Sequence, residues 1–258
     1  MDKASREWRW CAGLAIALTA AAAVNAAPIN QVGYGSVAGS TVIDFESISG
    51  GVSPGTNYDA VLTLNGAVFG ERFQGQTLGA DNDFDTLSGT PSSPLTAVAG
   101  AANQNLVVVL DEVSGNNTQI LAGLGNCVDQ GCTASDRIGE GSIAVRFPAL
   151  QSAFGLKVIG GDSSNGAFIS FFRSSGEVID TISLTSLATL AEFGFQREGG
   201  VQDIAGFSIY NNDPAGIGFD DLKFQPGDDG QLAPEPSSLA LLGLGLALLA
   251  RRRLQQRA

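Results

Sequence analysis

Histidine is absent from all 258 residues, and cysteine (3), tyrosine (3), tryptophan (2) and methionine (1) are scarce. Without an imidazole there is no base for a Ser-His-Asp or Cys-His nucleophile system. Gly161-Asp162-Ser163 has the opening letters of a lipase block, and the missing base excludes that chemistry. A Cys-Cys metal site at Cys127 and Cys132 would need two more soft ligands; once Cys11 is removed with the N-terminal segment, no other cysteine and no histidine can supply them. No Glu-x-Asp occurs anywhere, which removes the signature of the common jelly-roll β-glucanases. Acids are plentiful enough for a paired-carboxylate glycosidase, but no pair is singled out. No catalytic residue is assigned, and the chain reads as non-enzymatic.

What is present concentrates at the two ends. Lys3, Arg6 and Arg9 form a basic leader, followed by a run of small and apolar residues from Cys11 to Val24. Val24-Asn25-Ala26 fits the small-x-small cleavage rule, so residues 1–26 are predicted to be a signal helix cut after Ala26 by the secretion machinery. Cys11 stands at the start of the apolar run and not after it, which is the wrong side for a lipoprotein. At the other end, Pro234-Glu235-Pro236 leads into the uncharged stretch Ser237–Ala250 and then Arg251, Arg252, Arg253 and Arg257. Leu239–Ala250 as a helix would reach roughly 18 Å at ~1.5 Å per residue, against a hydrocarbon core of about 30 Å. Such a helix sits poorly as a permanent anchor, and its arginines should stay on the cytoplasmic side. The two prolines keep the backbone before it extended, which suits a segment that a protease must grip.

That order of motif, apolar helix and basic stop over residues 234–258 resembles the PEP-CTERM sorting signal of Gram-negative bacteria. The resemblance implies transient membrane insertion of the C-terminal helix. It also implies a processing partner, an exosortase, which is a membrane-embedded cysteine protease-transpeptidase that removes the tail. A plain C-terminal anchor that is never cut is the alternative.

Between the ends lies one expected domain, residues 27–233. Three Lys/Arg leave with the leader and four with the tail, so 7 basic residues remain; Asp2, Glu7 and Glu235 also go, leaving 23 acids and a net charge of −16. A uniformly acidic domain repels nucleic acid and anionic lipid. Divalent cations, neutral or basic surfaces and hydrated polymers are its natural partners, although solubility alone would explain the charge. Cys127 and Cys132 are expected to pair in an exported chain. The loop they close is so small that the bond stabilises by about 2 kcal/mol or less. Trp8 and Trp10 leave with the signal, which counts against a sugar-binding platform of large flat aromatics.

Two-residue alternation recurs between Gly, Asn, Asp and Ser clusters, the mark of an all-β domain. Thr41–Glu46 places Ile43 and Phe45 on one face and Val42, Asp44 and Glu46 on the other. Leu106–Leu110 reads as a buried strand. Ile143, Val145 and Phe147 alternate with Ala144 and Arg146, and Phe154, Leu156 and Val158 with Gly155 and Lys157. Ala167–Arg173 and Glu177–Leu184 flank Ser174-Ser175-Gly176 as a hairpin. Phe207 with Ile209, and Ile217–Phe224, complete the strands. Ser183–Phe195 is predicted as a short helix or a wandering loop, and Ser49–Gly55 and Gly79–Gly100 as long surface loops.

Ile43-Asp-Phe-Glu46, the hairpin Phe171–Ile179 and the closing Gly218–Phe224 are similar to the jelly-roll β-sandwich of many PEP-CTERM proteins and of carbohydrate-binding modules. The fold class is therefore an all-β, jelly-roll-like antiparallel sandwich with a helix at each end. In a jelly-roll the first and last strands commonly pair, so Asp44 and Glu46 can meet Asp220 and Asp221. Asp220 is expected to share the core-facing side with Leu222 and Phe224, a costly place for an unpaired carboxylate. The resemblance to calcium-stabilised jelly-rolls implies Glu46, Asp220 and Asp221 as calcium ligands. Alternatively, Asp220 sits at a strand end, capping a turn beside an Arg or a backbone N–H.

Asp81-Asn82-Asp83-Phe84-Asp85 has the alternating acids of a calcium loop. It lacks the glycine of an EF-hand and has Ser92 where the bidentate Glu belongs, so it reads as a solvated acidic loop. Asn116-Asn117-Thr118 is a glycosylation sequon by letter and a turn by composition. Together these readings describe an exported protein of the cell surface or extracellular matrix, with a structural or adhesive role associated with exopolysaccharide. A calcium-stabilised carbohydrate-binding module is the alternative, and a glycoside-active enzyme a weaker one.

Overall fold

The computed structural model describes residues 28–126, 133, 135–161, 166–187 and 189–226. The predicted signal peptide 1–26, the expected Cys127–Cys132 pair, most of Gly161-Asp162-Ser163 and the whole tail 234–258 lie outside them. Among the described residues no helix is long and apolar enough to cross a membrane.

Two antiparallel sheets face each other. The larger runs in the spatial order Ile29–Val32, Leu190–Arg197, Ala153–Ile159, Gly218–Phe224, Gln119–Leu124, Leu106–Leu110, Thr56–Tyr58. Thr41–Ile43 adds to Gly218–Phe224, and Ile138–Gly141 to Gln119–Leu124. The smaller runs Val178–Leu184, Ala167–Phe172, Ile204–Asn211, Ile143–Gln151, Ala67–Gly70, Leu62–Leu64. The all-β prediction is correct, and the strand at Thr41–Ile43 does pair with the last one, with Leu222 opposite Ile43 and Phe224 opposite Thr41. It is the second strand, because Ile29–Val32 precedes it and pairs with Leu190–Arg197.

The predicted alternations place the core. Ile143, Val145, Phe147, Phe154, Leu156, Val158, Phe207 and Ile209 are all buried in one cluster between the sheets. Phe154 from the larger sheet stacks on Phe207 from the smaller, with centroids 4.8 Å apart and planes 10° from parallel. Leu106–Leu110 is buried on both faces, as a continuous apolar run requires. Leu106 and Val108 join the main core, while Val107 and Val109 pack with Ile120, Ala122, Leu124 and Ile159 on the outer side. The Ser174-Ser175-Gly176 hairpin forms, with Gly176 at φ +84° and its N–H bonded to the Arg173 carbonyl.

Two expectations need correction. Ser183–Phe195 holds neither a helix nor only a loop, because Leu190–Arg197 is a strand that joins Ala153–Ile159 to Ile29–Val32. Its buried Phe193 and Phe195 alternate with small or polar neighbours, a period-2 signal masked by Leu190 and Ala191. Gly79–Gly100 is not one long loop. Thr77–Asp81 and Phe84–Ser88 form a hairpin that turns at Asn82 (φ +55°), and Ala97–Val98 pairs with Arg72–Phe73. These pieces cover the outer face of the smaller sheet, where Phe73, Leu95, Ala97, Ala144, Phe172 and Ala205 make a second small core.

The acidic run 81–85 therefore belongs to a hairpin. Asp85 is 1% exposed and accepts hydrogen bonds from the Ser142 N–H (3.0 Å) and hydroxyl (3.4 Å). Burial pushes its carboxyl up to about 7.

The stack at Phe154 generates a direct expectation. Phe154→Ala removes a fully buried ring that touches Phe147, Phe171, Phe195 and Phe207. The domain should lose about 3–5 kcal/mol in denaturant unfolding. A loss below about 1 kcal/mol would show that the two sheets are not held together at this point.

Candidate functional site

A pocket of about 460 Å³ opens on the outer face of the larger sheet, lined by Asp44, Glu46, Asn116, Thr118, Lys157, Ile159, Leu190, Asp220 and Asp221. The sequence-predicted acids thus meet in one place. Lys157 reaches it because the alternation that buries Phe154, Leu156 and Val158 turns Gly155 and Lys157 outward. Asp44 and Glu46 arrive from the turn after Thr41–Ile43. Asn116 and Thr118 follow a loop held by Asp111, whose Oδ1 accepts the N–H groups of Val113 and Ser114, both at 2.9 Å. Asn117 takes φ +59° there, so the sequon letters do sit in a turn.

Asp220 does not share a face with Leu222 and Phe224. The register between Ala153–Ile159 and Gly218–Phe224 shifts between the Gly155–Lys223 and Lys157–Asp220 pairs, and Asp221 adopts φ +47°. This extra residue is a β-bulge, and it resets the alternation. Phe219 and Leu222 both reach the core, while Asp220 turns to the pocket side. The same kind of break occurs at Phe45, where φ is +59° and the strand ends at Ile43, yet Phe45 stays buried with Ile43 as expected.

Each carboxylate already has a protein donor. Asp221 binds the Lys157 ammonium at 2.8 Å, and Glu192 lies 3.5 Å from the same group. Asp220 accepts from the Thr118 hydroxyl (3.2 Å) and the Asp221 N–H (2.7 Å). Glu46 accepts from the Gln119 N–H, and Asp44 from the Glu46 N–H at 3.2 Å. Asp220 therefore meets a backbone N–H and a hydroxyl, close to the alternative in which it caps a turn. The three acids named as calcium ligands do line one pocket. Among the described residues, however, no group of three or more His, Cys, Asp or Glu side chains is placed to hold a metal ion.

One neighbour went unnoticed in the sequence. Tyr34, in the short turn Tyr34–Ser36, donates its hydroxyl to the Asp221 carbonyl at 3.0 Å and accepts the Lys223 ammonium at its own carbonyl at 2.9 Å. The Lys223 ammonium also lies 4.1 Å from the Tyr34 ring centre. The ring rests against Gly155, where a Cβ would lie 2.8 Å from it. Only glycine admits that approach. Burial, then the Asp221 charge, pushes the phenol up to about 12.

Burial first, opposed by the Asp221 N–H and reinforced by the Asp221 charge, lifts the Asp220 carboxyl to about 6. Glu140, raised mainly by burial to about 7, and Asp85 shift the same way. For each the folded pKa exceeds the unfolded one, so the native state holds extra protons. The stability they contribute is present below about pH 4 and is lost as pH rises through about 6 to 7. Unfolding midpoints should therefore fall from pH 5 to pH 8, and less steeply in Asp220→Asn. A flat or rising profile would contradict these assignments. Because the pocket acids face protein donors, calcium or EDTA is expected to leave the melting temperature unchanged. A calcium-dependent rise abolished by Glu46→Gln would instead establish Glu46, Asp220 and Asp221 as calcium ligands.

Among curated proteins none matches the chain. Solved structures resemble it weakly. The CBM22-1–GH10 modules of Clostridium thermocellum endo-1,4-beta-D-xylanase 10B, in complex with xylohexaose, match at 14% identity and TM-score 0.29, covering 48% of this chain and 24% of that one. The family 29 carbohydrate-binding module CBM29_1 of Piromyces equi matches at 13% and 0.26, covering 64% and 96%. Isomalto-dextranase of Arthrobacter globiformis T6, in complex with panose, matches at 11% and 0.26, covering 77% and 32%. This chain thus spans about a quarter of the length of the first of these, and at such similarity neither ligand nor activity transfers. The tail gives the specific result: residues 232–253 match the PEP-CTERM protein-sorting motif, spanning Pro234-Glu235-Pro236, the apolar run and Arg251–Arg253. The chain carries a PEP-CTERM sorting signal, which implies export and handling of its C-terminus at the membrane by an exosortase.

Proposed function

We propose that this chain is a non-enzymatic structural or adhesive protein of the cell surface or extracellular matrix, delivered through its C-terminal signal and associated with exopolysaccharide. The observation that carries the reading is the motif match over residues 232–253. In this reading Pro234-Glu235-Pro236 is the recognition element, Arg251–Arg253 hold the tail at the cytoplasmic face, and cutting frees the sandwich domain. The domain supports it in two ways. Its net charge of −16 disfavours nucleic acid and anionic lipid. Its polar pocket has its carboxylates bound to protein groups, an arrangement suited to holding a surface in shape more than to proton transfer.

The test is the mass of the protein recovered outside a host that contains the sorting machinery. Loss of the segment after Pro236, and its retention in a Pro234→Ala, Glu235→Ala, Pro236→Ala triple variant, are expected. Wild-type protein found outside the cell with its tail intact would overturn the proposal.

A further inference from the structure

The outer face of the smaller sheet is only half covered. Antiparallel register sets Phe168 beside Tyr210 and Ser183, and Ser170 beside Ser208 and Thr181. These six side chains share the face opposite the core, because their neighbours Ile169, Phe171, Phe207 and Ile209 all point inward. The segment around the Thr77–Ser88 hairpin closes one margin, where Gln76 Nε2 donates to the Ser208 hydroxyl at 3.2 Å and Ser208 is 2% exposed. The rest stays open: Phe168, Ser170 and Tyr210 are half-buried, and Thr181 and Ser183 are exposed.

The open strip has a definite chemistry. The Phe168 and Tyr210 rings stack on one another, centroids 5.1 Å apart and planes 24° from parallel, which leaves their outer faces and edges to the solvent side. Next to them the Ser170 and Thr181 hydroxyls are 2.9 Å apart and hydrogen-bonded. None of the six residues is charged, in a domain whose net charge is −16. That contrast selects the occupant. An anionic polymer would meet the domain's net charge of −16, and a second copy would bring an equal negative charge. A basic peptide would find no carboxylate on this floor to pair with. A pyranose strand offers C–H faces to the rings and hydroxyl edges to Ser and Thr, which both donate and accept. The strip spans two strand spacings, about 10 Å, the scale of a disaccharide.

We propose that the Phe168–Tyr210 strip, with Ser170, Thr181 and Ser183, binds a neutral, hydroxyl-rich polysaccharide strand. The proposal rests on the exopolysaccharide association above and gives it a location on the domain, apart from the acidic pocket. Affinity electrophoresis of the full chain through gels containing hydroxyethyl cellulose, xyloglucan, dextran or alginate tests it. Retardation by at least one neutral polymer and none by alginate is expected. Tyr210→Ala and Thr181→Glu should each weaken that retardation about tenfold, while Asp44→Asn in the acidic pocket leaves it unchanged. Thr181 is exposed, so its substitution reads the site even if Tyr210→Ala unfolds. Binding that survives both strip variants would overturn the site and leave the polysaccharide association standing. No retardation by any neutral polymer would overturn both.

Discussion

The sandwich depends on a block of phenylalanines that only two facing sheets can enclose. Phe154, Phe195 and Phe224 come from the larger sheet; Phe147, Phe171 and Phe207 come from the smaller. Their rings meet at centroid distances of 4.8 to 5.9 Å in tilted and stacked pairs. Aromatic rings bring large apolar area on few rotatable bonds, so burying them favours one fixed arrangement over a loose one. The described residues contain no tryptophan, so phenylalanine is the large aromatic of this layer, with Ile, Leu and Val packed around it. The outer surfaces, including the pocket and the uncharged strip, are positioned because this layer sets which residues of each strand face away.

Much of this was legible from alternation. Ile143, Val145 and Phe147, then Phe154, Leu156 and Val158, reach the core as their spacing predicts, because a strand with one buried face has no freedom to exchange it. The meeting of Asp44 and Glu46 with Asp220 and Asp221 was legible as well, from the pairing of Thr41–Ile43 with the last strand, although the strand Ile29–Val32 ahead of it was not. What the letters concealed was the bulge. Nothing in Gly218-Phe-Asp-Asp-Leu-Lys-Phe224 announces that Asp221 will take φ +47° and send Asp220 to the opposite side from Leu222. A bulge is a property of the pair of strands, since it is the partner's register that has one residue fewer. The Thr77–Ser88 hairpin hid for a related reason. Its acids resembled a solvated loop, and only the position of Ser142 beneath it shows why Asp85 is buried.

The scarcity of cations shapes the electrostatics of the whole domain. Few bases must serve many acids, and the structure spends several of them at seams. Asp203 takes the guanidinium of Arg197, from the larger sheet, at 2.7 and 3.0 Å, and that of Arg173, which follows a strand of the smaller sheet, at 3.1 Å. One carboxylate thus ties the two sheets at one end. Lys157 similarly serves Asp221 and Glu192, so it links the last strand to Leu190–Arg197. Asp85, Asp111 and Asp213 are buried among protein groups, while the acids left on the surface are screened by water and salt over about 10 Å at 0.1 M ionic strength.

This division bears on where a ligand can sit. In the pocket, the protein's own donors already meet each carboxylate, so an incoming cation competes with them for the same groups. On the Phe168–Tyr210 strip nothing charged has to be displaced, and the hydroxyls of Ser170 and Thr181 bond to each other while keeping spare donor and acceptor capacity. Neutral partners do not rely on the exposed ion pairs that solvent and salt weaken, and they avoid the repulsion that a net charge of −16 imposes on anions. The same scarcity of basic residues that disfavours nucleic acid therefore makes the uncharged sheet face the place where the proposed polysaccharide contact meets least electrostatic opposition.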